Sequence, residues 1–308
     1  MGFRGFSIVL LLGFQFKIYT QPYPIEEGVN RIVFIGNSIT YAGDYINFID
    51  AYFTTHHPQK KYEIINLGLP SETVSGLSES NHANGAFPRP NLKERLQRLL
   101  TKVKPDLVLA CYGMNDGIYL PLDAQRFEKF KIGIHFLHQE VIKSGAKIIH
   151  ITPPIYEGSN SNNYAHVLEV YSDWLIDQRS SAQWEVIDIH YPMKKELQNQ
   201  RLLDSTFVFA KDGIHPNTAG HFTMAKEILL NLGAELDHIN DMKRFLSSNR
   251  NGTQILAKIA SRQKIMKDAW LTYVGHQRPK MEAGLEMSEA HNRAMEMNFK
   301  IQNLLIEQ

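Results

Sequence analysis

The hydrophobic positions come in short continuous blocks rather than in alternation. Blocks rich in Ile, Val and Leu fall at residues 31–36, 62–67, 106–111, 147–152 and 185–189, each closed by turn-forming residues. Runs of this kind suit strands buried on both faces, as in a parallel sheet. Between them lie segments of helical periodicity, at 44–57, 90–103, 123–144, 163–180 and 217–231. Pro105-Asp106 and Gly145 punctuate the passages from helix to strand. The alternation predicts an α/β fold, a doubly wound three-layer α/β/α sandwich on a mostly parallel sheet of about five strands. After Gly233 the pattern changes. Residues 234–308 are charged, Met-rich and helix-prone, with breaks at 249–252 and near Pro279. They predict two or three helices, packed on the sheet or used for association between chains.

Composition narrows the possibilities. The 308 residues carry 33 Lys and Arg against 32 Asp and Glu, a formal charge of +1. No basic run with interleaved aromatics occurs, so a nucleic-acid partner is not expected. The single cysteine, Cys111, can form neither an internal disulfide nor a cysteine-based metal site, and no CxxC or HExxH pattern is present. No metal and no cofactor are expected. At the N-terminus, Arg4 precedes an apolar stretch from about Phe6 to Phe14. That is too short to span a bilayer and of the length of a signal-peptide core. The expectation is a signal peptide over 1–20, a catalytic domain over 21–233 and a helical extension over 234–308. Secretion or a periplasmic location follows, without stable membrane insertion.

In an open α/β sheet, ligands bind beyond the carboxyl ends of the strands. The first strand delivers Gly36-Asn37-Ser38 there, the second Asn66-Leu67-Gly68 and the third Gly113-Met114-Asn115-Asp116. Before the last helix of the sheet region comes "KDGIHPNTAGH", with Asp212 and His215. A serine hydroxyl becomes a nucleophile only beside a base. An imidazole is the right base, and a carboxylate can orient it and stabilise the imidazolium. An acyl-transfer oxyanion needs donors, and the backbone N–H groups of Ser38 and Gly68 with the amide of Asn115 are the candidates. Each fragment alone also reads as a turn or a helix cap. Tyr112, Tyr119 and Tyr156 lie next to strand ends, where they either line a substrate pocket or pack. Asp116 and Asn37 are read as supports of the loops. His276 and Arg278 are read as part of a helix-breaking connector rather than a turn that folds back to contact substrate or a partner.

The blocks "GNSIT", "NLGLPSET", "GMND" and "DGIHP" resemble, in order and rough spacing, the four signature blocks of the SGNH hydrolases, also called the GDSL esterase/lipase family. The resemblance covers about residues 30–232. It implies Ser38 as nucleophile and oxyanion donor, Gly68 and Asn115 as the other donors, His215 as base and then acid, and Asp212 as its partner. The family's Gly-Asp-Ser reads Gly36-Asn37-Ser38 here, and Asn still caps locally. The expected protein is an exported serine esterase acting on a small-molecule or glycan ester, most of all an O-acetyl ester of a carbohydrate. Two readings stay open beside it. One is a lipase or phospholipase-type acyl hydrolase. The other is a non-catalytic glycan-binding protein on the same fold. Association through the C-terminal helices also stays open.

Overall fold

The computed structural model describes residues 23–159, 163–235, 239 and 241–307. The expected signal peptide lies outside them. Five strands form one sheet: β1 (Arg31–Gly36), β2 (Glu63–Asn66), β3 (Leu107–Cys111), β4 (Lys147–Ile151) and β5 (Glu185–Ile187). Their order is β2-β1-β3-β4-β5, and every pairing is parallel. Almost every strand residue is buried, from Ile32 to Ile35 in β1 and from Leu107 to Cys111 in β3. That burial on both faces is why the blocks were continuous rather than alternating. At the start of the sheet, Asp106 Oδ2 accepts from the N–H groups of Asn30 (2.9 Å) and Arg31 (2.7 Å), which sets the register of β1 on β3.

The helices form the two outer layers. They are α1 (Ser38–Ala42), α2 (Asp44–His56), α3 (Leu96–Val103), α4 (Ala124–Lys143), α5 (Tyr164–Ser181), α6 (His190–Leu203) and α7 (Thr218–Asn231). Helices α2 and α7 pack on each other. Phe130 of α4 stacks on Tyr171 of α5, with ring centres 4.2 Å apart. The sequence pattern anticipates five of these seven helices. Helix α6 buries only His190, Met193 and Leu197, so it carries too narrow an apolar stripe to be seen by periodicity. Helix α1 is five residues long, below the length at which periodicity is visible.

Three further helices follow: α8 (Met242–Ser247), α9 (Gly252–Val274) and α10 (Met287–Ile306). They join the core of the sheet region. Ile255, Ile259, Trp270, Leu271 and Val274 of α9 belong to the same hydrophobic cluster as the strands. Helix α9 also covers the exposed edge of β2, where Gln263 Nε2 donates to the Ile64 carbonyl at 3.0 Å. An uncovered edge strand is a template for unwanted pairing, and the helix removes it.

The chain leaves β1 to add β2 on one side and β3 on the other. The reversal opens a crevice at the carboxyl end of β1. Ser38 sits there.

Candidate active site

Helix α1 begins at Ser38. Asn37 is its N-cap, with Oδ1 accepting from Ile39 N–H at 3.1 Å. An Asn serves this purpose as an Asp does, since only an acceptor oxygen is required. The Ser38 N–H has no acceptor among the described residues, so a donor remains at the start of the turn. Two glycines make the turn this tight. A Cβ on Gly36 would lie 2.2 Å from Thr40 Oγ1, and one on Gly68 would lie 2.3 Å from the Tyr41 nitrogen. Any side chain at either position would push α1 away from the strand ends.

Ser38 Oγ lies 2.9 Å from His215 Nε2, and His215 Nδ1 lies 2.6 Å from Asp212 Oδ2. Asp212 Oδ1 accepts from the N–H groups of Ile214 (2.9 Å) and His215 (2.8 Å), so the carboxylate is locked into its own loop. Burial pushes the Asp212 carboxyl up. The bonds from the His215 ring, the His215 N–H and the Ile214 N–H outweigh that and hold it down at about 2. Asp212 is therefore an anion that receives the Nδ1–H, which leaves Nε2 to accept the serine proton. The loop is anchored from behind by Glu157. Its Oε2 accepts from Phe209 N–H (3.0 Å) and Ala210 N–H (2.8 Å), and its own N–H reaches the Gly213 carbonyl at 2.9 Å.

On the other side of Ser38, Asn115 is held at both ends of its amide. Nδ2 donates to the Glu72 carbonyl at 3.2 Å, and Oδ1 accepts from the Tyr119 hydroxyl at 2.9 Å. A carbonyl can only accept, so the contact with Glu72 sets which end is nitrogen. One N–H of the amide remains to be given. Gly68 is different from the expectation. Its N–H is already given to Asn66 Oδ1 at 2.9 Å, while Asn66 Nδ2 donates to the Thr40 carbonyl at 2.7 Å. In this geometry Gly68 can serve an oxyanion only through a shared, three-centre bond.

Asp116 is fully buried. Its carboxylate accepts from the N–H groups of Val74 and Ser75, both at 2.8 Å, and of Gly113 at 3.0 Å. Burial raises its pKa against those three bonds. It ties the loop after β3 to the loop after Gly68. Tyr112 lines no open surface. It is buried, and its hydroxyl donates to Glu72 Oε2 at 2.6 Å. Tyr119 and Tyr156 are half-buried, with ring centres 6.1 Å apart, and form an aromatic shelf next to Asn115.

Four supports carried no signal in the sequence. Glu72 and Arg95 are 0 % exposed and form a bidentate pair at 2.6 and 2.7 Å, and Arg95 also holds the Leu67 carbonyl at 2.7 Å. Arg89 pairs with Glu79 at 2.6 and 2.7 Å and lies over the Tyr119 ring at 5.3 Å. A Glu and an Arg separated by 23 residues have no local pattern, so only the assembled loops reveal them. Among the described residues, no group of three or more His, Cys, Asp or Glu comes together as a metal site.

The triad is open to solvent. The side chains of His215 and Asp212 are 48 % and 55 % exposed. A cavity of about 920 Å³ lies between α6 and α7, lined by Tyr191, Phe207 and Phe222 among others, and Ser38 is not among its lining residues.

A hydroxyl, an imidazole and a carboxylate in series at the switch point of a parallel sheet define a serine hydrolase on an α/β/α frame. Residues 34–221 match the model of the GDSL-like Lipase/Acylhydrolase family, and the chain belongs to that family. It is accordingly a carboxylic ester hydrolase. Several solved structures share its fold. A catalytic mutant of Axe2, an acetylxylan esterase from Geobacillus stearothermophilus, is 21 % identical over 68 % of this chain and 97 % of its own, with a TM-score of 0.53. LAE5, an alpha/beta hydrolase enzyme from the metagenome of Lake Arreo, Spain, is 23 % identical over 68 % and 97 %, with a TM-score of 0.54. BT4096, a gut microbial diltiazem-metabolizing enzyme, is 21 % identical over 69 % of this chain, with a TM-score of 0.54. The match spans 49 % of that longer chain. No curated protein matches the sequence.

Proposed function

We propose that this protein is an exported serine esterase that removes small acyl groups, in particular O-acetyl groups, from carbohydrate. The observation that carries the proposal is the open triad beside an aromatic shelf. A half-exposed His215–Asp212 pair leaves room for a bulky alcohol. The half-buried Tyr156 beside Tyr119 offers an aromatic surface against which a sugar ring can pack. The fold shared with an acetylxylan esterase agrees with this reading. The apolar N-terminal stretch supports export.

In the proposed reaction, Ser38 Oγ attacks the ester carbonyl carbon while its proton passes to His215 Nε2. The carbonyl π pair moves to the oxygen. The oxyanion is received by the Ser38 N–H and the remaining N–H of Asn115, with Gly68 joining if its bond to Asn66 is shared. Collapse breaks the bond to the alcohol oxygen, which takes the proton from His215. Water then adds to the acyl-serine by the same path, releasing the acid and restoring Ser38.

The test measures acetate release from acetylated polysaccharides and rates on p-nitrophenyl esters of increasing chain length, for wild type and Ser38→Ala. The expected result is acetate release and a preference for the shortest chain. Ser38→Ala should lose the activity by a factor of about 10³ or more. A preference for long chains would overturn the carbohydrate reading, and equal rates for the two proteins would overturn the role of Ser38.

A further inference from the structure

The family match ends at residue 221, so it does not account for α8, α9 and α10. Two cationic side chains from this extension reach the framework of the site. Lys267, in α9, is 8 % exposed. Its Nζ donates to the Tyr41 carbonyl at 2.9 Å and lies 3.7 Å from the centre of the Tyr41 ring. Tyr41 belongs to α1, the helix that opens with Ser38, and its own N–H bonds back to the Asn37 carbonyl at 2.9 Å. Carbonyls in the last turn of a helix have no partner within it. In α1 two of them are met from outside, that of Thr40 by Asn66 and that of Tyr41 by Lys267. An ammonium so enclosed is costly to desolvate. The Tyr41 carbonyl and ring offset that cost.

Arg278 lies in the connector between α9 and α10. The segment is more than a helix break, because it folds back on the loop after β2. Arg278 Nε donates to the Pro70 carbonyl at 2.9 Å, and its guanidinium stands 5.4 Å from the centre of the Phe87 ring. Pro70 follows Gly68 by two residues. From Phe87 the contacts continue through His82 (5.4 Å) and Glu79 (3.6 Å) to Arg89, which covers Tyr119, the residue that holds the Asn115 amide.

The extension therefore grips the helix that begins at Ser38 with one cation and the loop after Gly68 with the other. These two pieces touch each other where the absent Cβ of Gly68 lets Tyr41 approach. We propose that residues 242–307 act as a brace of the catalytic turn. Lys267 and Arg278 are its positioning residues, setting where the Ser38 hydroxyl and N–H stand relative to Asn115. The inference rests on the esterase reading of the site, because its functional readout is ester hydrolysis.

The experiment uses the full chain and compares wild type with Lys267→Met, Arg278→Gln and Lys267→Arg. Two quantities are measured: steady-state hydrolysis of p-nitrophenyl acetate well below the melting temperature, and amide hydrogen exchange of peptides covering residues 36–43 and 66–73. A misplacement of about 1 Å can cost up to about 10²-fold in rate. Lys267→Met and Arg278→Gln should each lower kcat about tenfold with KM within about twofold. Exchange should quicken in both peptides. Lys267→Arg, which keeps a donor for the Tyr41 carbonyl, should recover most of kcat. Unchanged kcat, or unchanged exchange, in both variants overturns the brace. Arg278 sits in a connector, so Arg278→Gln carries the test alone if Lys267→Met does not fold. Hydrogen exchange probes the brace even on a chain that hydrolyses no ester, so the brace and the esterase reading fail separately.

Discussion

Asp212 keeps its negative charge because three hydrogen bonds from its own loop outweigh the cost of its surroundings, holding the carboxyl at about 2. The consequence is a simple pH profile. Above about pH 3 Asp212 stays ionised, so its protonation adds no step across the range in which histidine changes charge, about pH 5–8. In the proposed reaction a histidine must be neutral to take the serine proton, so kcat/KM should fall toward acid with a single limb of slope one. The pH dependence of kcat/KM on a non-titrating ester checks this. A flat profile would remove His215 as base, and a slope of two would mean that a second group titrates with it. Asn37 shows a similar economy. It supplies only the acceptor that Ile39 N–H needs, so the acidic residue usual at this place is dispensable for the turn.

The loops after β2 and β3 are held by one buried ionic cluster. Glu72 receives Arg95 and Tyr112 through its carboxylate and Asn115 through its carbonyl, while Arg95 reaches back to Leu67. Burial works to lower the Arg95 pKa, but Glu72 and Tyr112 outweigh it and the net direction is up, so the guanidinium stays charged. Removing one partner strands the other charge without water. Arg95→Met should therefore destabilise the fold by about 3–5 kcal/mol. It should also lower kcat, because the Glu72 carbonyl no longer has a fixed place. Urea unfolding together with kinetics checks both. A loss of less than about 1 kcal/mol would mean that the cluster is hydrated rather than sealed. The elements the sequence pattern misses share a cause with this cluster. Helix α6 and the Glu72–Arg95 pair are specified by what they meet across space. Neither has a spacing that marks it along the chain.

For the molecule as a whole, the C-terminal helices are part of one core. Asp50, on α2, is nearly buried and accepts from Arg262 and Gln263 of α9, each at 2.6 Å. Ile259 is fully buried among residues of the sheet region. Ile259→Ala should cost about 2–5 kcal/mol. It should lower the midpoint of a single thermal transition rather than split off an early one. Calorimetry decides this, and two separate transitions would mean that the extension folds as an independent unit. Among the described residues, no helix is long and apolar enough to cross a membrane.

The linear sequence determined the local facts. Five continuous apolar blocks meant five doubly covered strands. Four polar motifs at their ends placed Ser38, Asn115, Asp212 and His215 at one edge, since strand ends in this kind of sheet share one edge. It also carried the family, because its motifs are short and contiguous. The tertiary structure decided what depends on distance in space. The strand order put the switch point at Ser38. The Asn66 side chain took the Gly68 N–H. The buried Glu72–Arg95 pair joined two loops, and helix α9 turned from a charged, helix-prone tail into the cover of β2 and the brace of α1. The physical reason is the same in each case. Periodicity and short motifs encode contacts within a turn or a strand, whereas a hydrogen bond between residues 26 to 226 positions apart, as from Asn66 to Thr40 or Lys267 to Tyr41, leaves no trace until the chain has closed on itself.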